Sequence, residues 1–505
     1  MRATTVSIVA LTSAFAALSS ALTTARPPTS SGQTCCHALK AVLPDDTFIP
    51  NSTVYTAEYQ NFWSSTEDLN PACVFLPNTT KKVARAVQLF TRLNCQWAIR
   101  GGGHSPIPGA ANIDGGVLIG TNHLNAIDIN HKQGYVRVGA GNRLGAVYNA
   151  LDPHNLVPIV GRYEDVGLGL AVGAGFSYLT NREGLTIDNV LNYEVVLANG
   201  KVVNANKHSH SDLFWALKGG NNNFGIVTHF HLRTFPYNGT VYGGNIIHPE
   251  SAFDQVADLF YDYHTHQAVD DVLTHAMPSY NYIGATDVAR AESLVVYNAP
   301  VDELPPILQP WLEVPYQNDT LSRRTYGSLA REQGDGIFNG LAVDQRLFSV
   351  YADREFLKVA WEIYLQWLRD RRDVPGLVGV HVPMPITPNQ IAQGVAKGGN
   401  ALGLESTNNG KSIVVILMLL NFNNLEDLPR LRAEHNALME SLVDLAKQRG
   451  VYHPYIMLTY SGAGQEAIAS YGSKNVARLW KTAKAYDPTG VFQRLVPGGQ
   501  KLPRA

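Results

Sequence analysis

The sequence predicts an α+β fold, in which helices and strands mix at both ends of the chain and a sheet covered by helices fills the middle. Up to about residue 236, short alternating strands follow amphipathic helices. Between roughly 240 and 450, solid apolar runs such as "SIVVILMLL" and "LVGVHV" indicate buried strands. A helix in this stretch ends at Gly450 and carries apolar residues at helical spacing: Leu431, Leu438, Leu442 and Leu445. The C-terminal segment returns to the mixed pattern.

The elements before residue 236 follow from periodicity and turn chemistry. In "TTKKVARAVQLFTRLN", Val83, Val87 and Phe90 lie at helical spacing after a threonine cap, and the strand "WAIR" comes next. "GYVRVGAG" alternates as a strand does. Two β-rich runs joined by Asn199 and Gly200 predict a hairpin, because this pair tolerates positive φ. "SDLFWALKGG" is typical of a short capped helix, and "FGIVTHFHLRTF" of an alternating strand.

The sequence argues against a nucleic-acid partner and against a membrane span. Of 505 residues, 45% are hydrophobic and 16% are charged, and the net charge is −2. A nucleic-acid binder usually shows a basic excess or stripe, so we expect no nucleic-acid partner. The apolar run "SIVVILMLL" is too short to cross a bilayer, so we expect no membrane span.

The N-terminus resembles an export signal at residues 1–25. Arg2 supplies a positive charge, residues 6–18 form a short apolar run, and small residues allow cleavage after Ala21 or Ala25. A membrane anchor is the alternative interpretation. Export agrees with four N-x-S/T glycosylation sequons, at Asn51, Asn78, Asn238 and Asn318. We therefore expect a secreted, N-glycosylated protein.

Four cysteines permit disulfides in an exported chain, with three possible pairings. A bridge from Cys36 to Cys95 would close a long loop and contribute about 4 kcal/mol in the chain-entropy model. Cys35 is adjacent to Cys36, which leaves the partner of Cys95 open. For Cys73, in "PACVFLP", a buried free thiol is the alternative.

Two glycine-rich segments carry the clearest chemical signal. "RGGGHS" follows an apolar strand, and its backbone N–H groups could form a nest for a phosphate, with the charge of Arg100 beside it. The segment "VGLGLAVGAGFS" allows a second close backbone approach. Neither segment is a Rossmann or Walker motif, and a pair of tight structural turns is the alternative. His104 directly follows the nest, so it would face the bound ligand unless it is a hydrogen-bonded core histidine.

Five motifs in order resemble the berberine-bridge-enzyme-like branch of the flavin-linked oxidases, in the vanillyl-alcohol-oxidase superfamily. They are "RGGGHS", "VGLGLAVGAG", "LTIDNVLNYEVVLANG", "DLFWALKGGNNNFGIVT" and "YDPTGVF". The resemblance runs from about residue 55 to the C-terminus and is strongest to fungal members of secondary metabolism. It implies a bipartite PCMH-type FAD-binding domain at 68–236, completed by a C-terminal segment at 452–505. Residues 237–451 would form a substrate-binding domain, an antiparallel sheet backed by helices.

The resemblance also implies the residues that hold FAD. The histidine in the place of His104 is bonded covalently to the flavin 8α-carbon in this family. The arginine–glycine loop would cradle the pyrophosphate, through Arg100, Gly101, Gly102, Gly103 and Ser105. The second glycine segment would line the FAD, through Gly167, Gly169, Gly173 and Gly175. The remaining positions would contact the adenosine side (Asp188, Asn189, Val190), the isoalloxazine (Gly225, Ile226, Val227) and the flavin from the C-terminal helix (Asn475).

Two departures from the family pattern affect the chemistry. Many relatives attach FAD a second time through a cysteine, but Tyr163 occupies that place, so we expect a single link through His104. The family's "N-Y-x-D" strand reads "T-Y-S-G" here and keeps Tyr460, the candidate catalytic base. Because an unperturbed tyrosine pKa lies near 10, Tyr460 would need a partner or a lowered pKa, and a packed aromatic is the alternative. His381 in "GVHVP" is a rival base or a structural histidine.

The resemblance implies an FAD-dependent oxidase acting on a small organic substrate. A base would remove an O–H or N–H proton while hydride moves to flavin N5, and O₂ would become H₂O₂; oxidative ring closure is a variant. An FAD-dependent dehydrogenase with another acceptor and a secreted flavin-containing binding protein are the alternatives. Alcohol, sugar, amine and polyketide substrates all stay open.

Other histidines are poor candidates for a metal site. His208 and His210 lie in a polar turn, "NKHSHSD", and are predicted to be solvated. His229 and His231 share the more polar face of an alternating strand, without an obvious carboxylate or cysteine to complete a site. We therefore expect no metal.

Overall fold

The computed structural model describes residues 29–334 and 339–503, and three sheets lie within them. The predicted export signal at 1–25 lies outside the described residues. Two small sheets and a large one are joined through helices and loops, so the predicted α+β class is confirmed.

The first sheet has four strands in the order β1-β2-β4-β3. Its β1–β2 pair is antiparallel and its other pairs are parallel. The strands are β1 Thr47–Phe48, β2 Cys73–Phe75, β3 Trp97–Arg100 and β4 Val117–Gly120. The edge strand β3 leads directly out of the sheet into the "RGGGHS" loop, because it ends at Arg100.

The second sheet is antiparallel, with the order β5-β6-β10-β8-β9 and with β7 paired to β10. Its strands are β5 Ile127–Asn130, β6 Tyr135–Gly139, β7 Leu156–Pro158, β8 Val190–Val196, β9 Val202–Asn206 and β10 Ile226–Pro236. The predicted hairpin is the β8–β9 pair, in which Val196 faces Val202. The Leu197 N–H donates to the Lys201 carbonyl at 2.9 Å, which leaves a three-residue loop and not the expected two-residue turn. Within this loop only Gly200 has positive φ (77°).

The third sheet has nine strands in the described residues and is antiparallel throughout. Its order is β14-β11-β13-β12-β17-β18-β16-β19, with β15 also paired to β11. The strands are β11 Val241–Pro249, β12 Thr274–Ile283, β13 Val288–Tyr297, β14 Asn318–Asp319, β15 Ser322–Arg324, β16 Ala342–Tyr351, β17 Val378–Ile386, β18 Ile413–Phe422 and β19 Tyr452–His453.

Helices pack around these sheets along the whole described chain. Those before the third sheet are α1 Gly32–Val42, α2 Thr53–Tyr59, α3 Thr80–Leu93, α4 Leu144–Leu151, α5 Thr180–Glu183 and α6 Ser211–Gly220. Those of the middle stretch are α7 Phe253–Asp262, α8 Pro310–Glu313, α9 Tyr326–Gly334, α10 Arg354–Arg369, α11 Pro388–Ala396 and α12 Leu428–Gln448. The last two are α13 Ser473–Tyr486 and α14 Val491–Arg494. Within the described ranges, none of the helices has the length and apolarity that a bilayer span needs.

The apolar run "SIVVILMLL" is explained by β18, which is buried on both faces. One face of β18, including Ile416 and Met418, packs on α10 and α12. The other face, including Val415 and Leu417, belongs to the core shared with the second sheet. A strand covered on both sides needs apolar residues at every position, which is why the run shows no alternation.

Two disulfides tie helix α1 to the first sheet. Cys35 pairs with Cys95, and Cys36 pairs with Cys73. The considered bridge from Cys36 to Cys95 is therefore wrong by one residue, and Cys73 is not a free thiol. Successive helical residues point in directions about 100° apart, so one of the two adjacent cysteines reaches β2 and the other reaches the segment that leads into β3.

Candidate functional site

A cavity of about 750 Å³ lies between the glycine segments and one face of the third sheet. The sheet contributes a mostly apolar wall that includes Val378, Val380, Val382, Met384, Leu417 and Leu419. Of the residues implied to hold FAD or to act as base, the cavity brings together Gly101, Gly102, Gly103, His104, Ser105, Gly167, Gly169, Gly175, Gly225, Ile226, Val227 and Tyr460.

The two glycine segments touch each other backbone to backbone at Gly102 and Gly167. A Cβ atom on Gly102 would lie 2.4 Å from the Gly167 nitrogen, and one on Gly167 would lie 2.3 Å from the Gly102 nitrogen. No side chain fits at such distances. The glycines therefore let the two loops close into one cradle whose wall toward the cavity is backbone.

His104 lies at the mouth of this cradle, with its ring stacked on Trp63. The ring centroids are 4.4 Å apart and the planes differ by 8°. Burial, assisted by the charge of Arg143, lowers the pKa of His104 to about 4. The imidazole is therefore neutral near pH 7, with a lone pair on one ring nitrogen, and the residue lines the cavity.

Arg100 does not line the cavity. Its guanidinium is buried, donates to the Glu58 carboxylate and carbonyl, and lies over the Phe62 ring at 5.4 Å. The positive charge of Arg100, which was expected to face a phosphate, is thus neutralised by Glu58 of helix α2. Arg100 instead holds α2 against the start of the glycine loop.

Glu67 organises the chain that follows the loop, and sequence reasoning missed it. Its side chain is buried and accepts hydrogen bonds from the backbone N–H groups of Gly109, Ala111 and Asn112, at 3.0–3.2 Å. Burial raises the pKa of Glu67 to about 8, against the opposite effect of these donors. The contact spans more than 40 residues of sequence, and no local motif marks it.

The second glycine segment also joins the C-terminal part of the chain to the cavity. A Cβ atom on Gly173 would lie 2.8 Å from the Thr459 methyl carbon, although Gly173 itself does not line the cavity. Tyr460 follows in the same short helical turn, Leu458–Tyr460, and does line it. The close packing at Gly173 therefore positions the candidate base.

The other implied contacts lie away from the main cavity. The Asp188 carboxylate accepts from the Leu185 N–H at 3.0 Å and from Asn400 at 2.9 Å. Asn475 donates to the Ala401 carbonyl at 3.1 Å. The cavity is also not lined by Asn189, whose amide is bonded to backbone carbonyls, or by Val190.

Tyr163 and Glu292 line the same cavity as Tyr460. Burial raises the pKa of Tyr163; the nearby charge of Arg162 opposes this, and Tyr460 and Glu292 add to it. Tyr163 therefore lies within electrostatic reach of both Tyr460 and Glu292. Glu292, on β13, had no motif to mark it in the sequence.

His381 faces away from the cavity, which removes it as a rival base. Its neighbours Val380 and Val382 line the cavity, so the strand alternation points His381 to the opposite face. There it packs among aromatic rings, including Trp361 at 5.6 Å. Burial lowers its pKa to about 3.

The remaining histidine pairs have local partners. His229 Nδ1 lies 2.9 Å from the Glu194 carboxylate, a partner that the sequence did not indicate, and His231 stacks on Tyr135. His208 and His210 are exposed. Over the ranges 29–334 and 339–503, no group of three or more His, Cys, Asp or Glu side chains could hold a metal ion.

The residues present fit an FAD molecule. The cradle is built of backbone where a Cβ atom would collide, as a bound pyrophosphate requires. The cavity is large enough for a flavin beside a small substrate, and a neutral histidine faces it.

Comparisons with known proteins agree with this fit. A family model for an FAD binding domain matches residues 71–206. The chain is 31% identical to the FAD-dependent monooxygenase prx3 of Penicillium roqueforti, over 92% of this chain and 93% of that protein. Among solved structures, the xylooligosaccharide oxidase of Myceliophthora thermophila matches with a TM-score of 0.75 at 19% identity, over 94% and 100% of the chains. The glucooligosaccharide oxidase of Acremonium strictum, described with 6-S-cysteinyl, 8α-N1-histidyl FAD, matches with a TM-score of 0.74 at 19% identity, over 93% and 100%.

Proposed function

Because this chain belongs to the FAD-dependent oxidoreductases of the berberine-bridge-enzyme-like family, we propose that it is a secreted oxidase that takes hydride from a small organic substrate and returns the electrons to O₂ as H₂O₂. The observation that carries the proposal is that His104, which burial keeps neutral near pH 7, lines one cavity together with the backbone cradle, Tyr460 and Glu292. FAD, when bound, supplies the hydride acceptor and the site of O₂ reduction.

His104 would hold the flavin covalently. Attachment at a flavin carbon needs an unprotonated ring nitrogen, and burial keeps His104 in that state near pH 7. Trp63 stacks on the imidazole and limits its rotation. A histidyl link is printed for the glucooligosaccharide oxidase, which supports the proposal by analogy. Because residue 163 is a tyrosine, this chain cannot form at that position the cysteinyl link that is described for the glucooligosaccharide oxidase.

Tyr460 would remove the substrate's O–H or N–H proton. A lone tyrosine is a weak base at neutral pH, so it needs a group that accepts or shares the proton. Glu292 is an acid that lines the same cavity, and both Tyr460 and Glu292 lie within electrostatic reach of Tyr163. We assign proton removal to Tyr460, with Glu292 as its carboxylate partner.

Secretion is supported by the disulfides and by the positions of the sequons. Both disulfides suit an oxidising compartment. The four sequon asparagines are all exposed: Asn51, Asn78, Asn238 and Asn318. A glycan could be attached at each without disturbing the core.

A monooxygenase is the second candidate, because the relative prx3 carries that name. The two functions differ in the fate of O₂: an oxidase releases both atoms as H₂O₂, whereas a monooxygenase places one in the product. The test is to screen alcohols, sugars, amines and organic acids for anaerobic bleaching of the flavin, then to repeat the reaction with ¹⁸O₂. Stoichiometric H₂O₂ and an unlabelled product support the oxidase. Label in the product supports the monooxygenase, and no bleaching by any compound class contradicts the oxidase.

A further inference from the structure

Arg162 is a buried cation without an acidic partner in the cavity wall. Its exposed fraction is 4%, and it lines the cavity beside Tyr163. Its Nη1 lies 3.4 Å from His275 Nε2 and 3.1 Å from the Met277 sulfur. Among residues 29–334 and 339–503, no carboxylate oxygen lies within 4.0 Å of its guanidinium.

The surroundings of Arg162 offer no hidden counter-charge. His275 is buried, and burial first, then the charge of Arg162, lowers its pKa well below the ordinary value, so it is neutral. The Tyr178 hydroxyl donates to the Arg162 carbonyl at 2.9 Å, which holds the backbone but leaves the guanidinium free. Glu292 is already paired with Arg290 at 2.7 Å.

Other buried arginines of the chain show what is missing at Arg162. The guanidinium of Arg100 is paired with Glu58, and that of Arg346 with Asp344 at 3.1 Å. A buried charge without a partner is costly, because burial removes its hydration and nothing replaces it. An anion that enters the cavity would supply the missing partner of such an unpaired guanidinium.

We propose that Arg162 recognises a planar oxyanion of the substrate, a carboxylate or an enolate, and that the substrate is therefore an apolar organic acid. The guanidinium fork matches two oxygens of a planar anion in a bidentate pair. The apolar side chains of Val380, Val382 and Leu417 on the same cavity wall suit the apolar part of such a molecule. This inference rests on the proposed oxidase function and names its substrate class.

The test is binding of cinnamate and of its neutral amide, cinnamamide, to the flavin-loaded protein. Binding is followed by the change in the visible flavin spectrum and by calorimetry, at constant ionic strength. Wild type should bind cinnamate more tightly than cinnamamide. Arg162→Gln should weaken cinnamate binding by about tenfold or more and leave cinnamamide binding unchanged, because one charge-assisted pair is lost.

Arg182→Gln is the matched control, since Arg182 is paired with Glu183 at 2.8 Å and lies outside the cavity. It should bind cinnamate as wild type does. The probe-free Arg162→Gln protein should unfold at the wild-type temperature or above, because an unpaired buried charge is removed. A clear loss of stability would assign Arg162 a structural role and overturn the inference. As a second variant, Arg162→Lys keeps the charge without the fork and should also weaken cinnamate binding.

Two further results would overturn the inference. One is equal binding of acid and amide to wild type. The other is a lowered flavin midpoint potential in Arg162→Gln with cinnamate binding unchanged. That result would show that the Arg162 charge stabilises the reduced flavin and does not bind the substrate. Binding needs no turnover, so the oxidase proposal fails separately: Arg162-dependent cinnamate binding in a protein that no compound reduces would contradict the oxidase and support the acid site.

Discussion

At the scale of single residues, the opposed glycines Gly102 and Gly167 show why the loop contains so much glycine. Each removes a side chain that would collide with the other's backbone at less than 2.5 Å. The presence of the cradle could be predicted from the run of glycines. Its closure by a second segment more than 60 residues away could not, because no local pattern records which backbones meet.

Gly102→Ala should damage the cradle. The new Cβ atom would lie 2.4 Å from a backbone nitrogen, so a loop must shift, at a cost of about 1–3 kcal/mol. Thermal unfolding of flavin-free protein and the flavin-to-protein absorbance ratio measure both effects. Gly169→Ala is the control for stability, because its Cβ atom meets nothing within 4 Å. Equal stability of the two variants would contradict the close approach.

Tyr460→Phe should slow flavin reduction by about 10²- to 10⁴-fold, because it removes the group that takes the substrate proton. Flavin content should stay at the wild-type level. Stopped-flow reduction with the substrate found by screening measures the rate, and Glu292→Gln provides the comparison. A slow Glu292→Gln protein beside an unaffected Tyr460→Phe protein would move the base from Tyr460 to Glu292.

At the scale of elements, the sequence pattern predicted the helices and strands that local interactions form. Helix α3 begins after Thr79, whose hydroxyl accepts from the Lys82 N–H, and ends at Asn94 with positive φ. The alternation of β10 and the apolar run of β18 were equally visible. Contacts between elements could not be predicted, because they depend on tertiary packing. They include the partner of Arg100, the contact of Glu67 with the chain after the glycine loop, and the pairing of the two adjacent cysteines.

The disulfide Cys35–Cys95 should matter for the strand that carries the glycine loop. It closes a span of 60 residues and enters the chain two residues before β3. Replacing both cysteines with serine should lower the free energy of unfolding by about 2–5 kcal/mol, since the unfolded chain regains loop entropy. Denaturant unfolding followed by tryptophan fluorescence measures it. A variant as stable as wild type would show that packing of α1 alone holds this region.

At the scale of the whole molecule, several buried histidines make the fold sensitive to acid. Burial lowers the pKa of His264 and His381 to about 3, below the ordinary 6.5. Between these values the unfolded chain binds more protons than the folded one, so stability rises with pH. The full stability is present above about pH 6.5 and is lost progressively as the pH falls toward 3.

His381→Phe should reduce this acid sensitivity, because the ring lies among aromatic side chains and keeps its packing partners. At pH 5 a buried histidine of this kind costs about 2 kcal/mol relative to pH 7. The difference in unfolding free energy between pH 7 and pH 5 should shrink by about that amount in the variant. An unchanged difference would show that His381 is protonated in the folded protein at pH 5.

The division of the molecule into a cradle and a sheet wall was visible in the sequence, but the meeting of its parts was not. The apolar runs of the middle stretch and the glycine loops predicted two regions. Glu292 reaches the wall through the alternation of β13, and Arg162 through the segment that follows β7. Neither residue belongs to a motif, so only the folded chain shows that they face the same cavity as His104.

The account depends most directly on the bond between His104 and the flavin. We would purify wild type, His104→Ala and the exposed control His208→Ala from the secreting host, denature each in acid, and analyse the washed precipitate by absorbance and peptide mass spectrometry. We predict yellow precipitate and a flavin-modified peptide containing His104 in wild type and His208→Ala, and neither in His104→Ala. Flavin that washes out of denatured wild type, or a flavin-modified peptide that persists in His104→Ala, would contradict the covalent assignment.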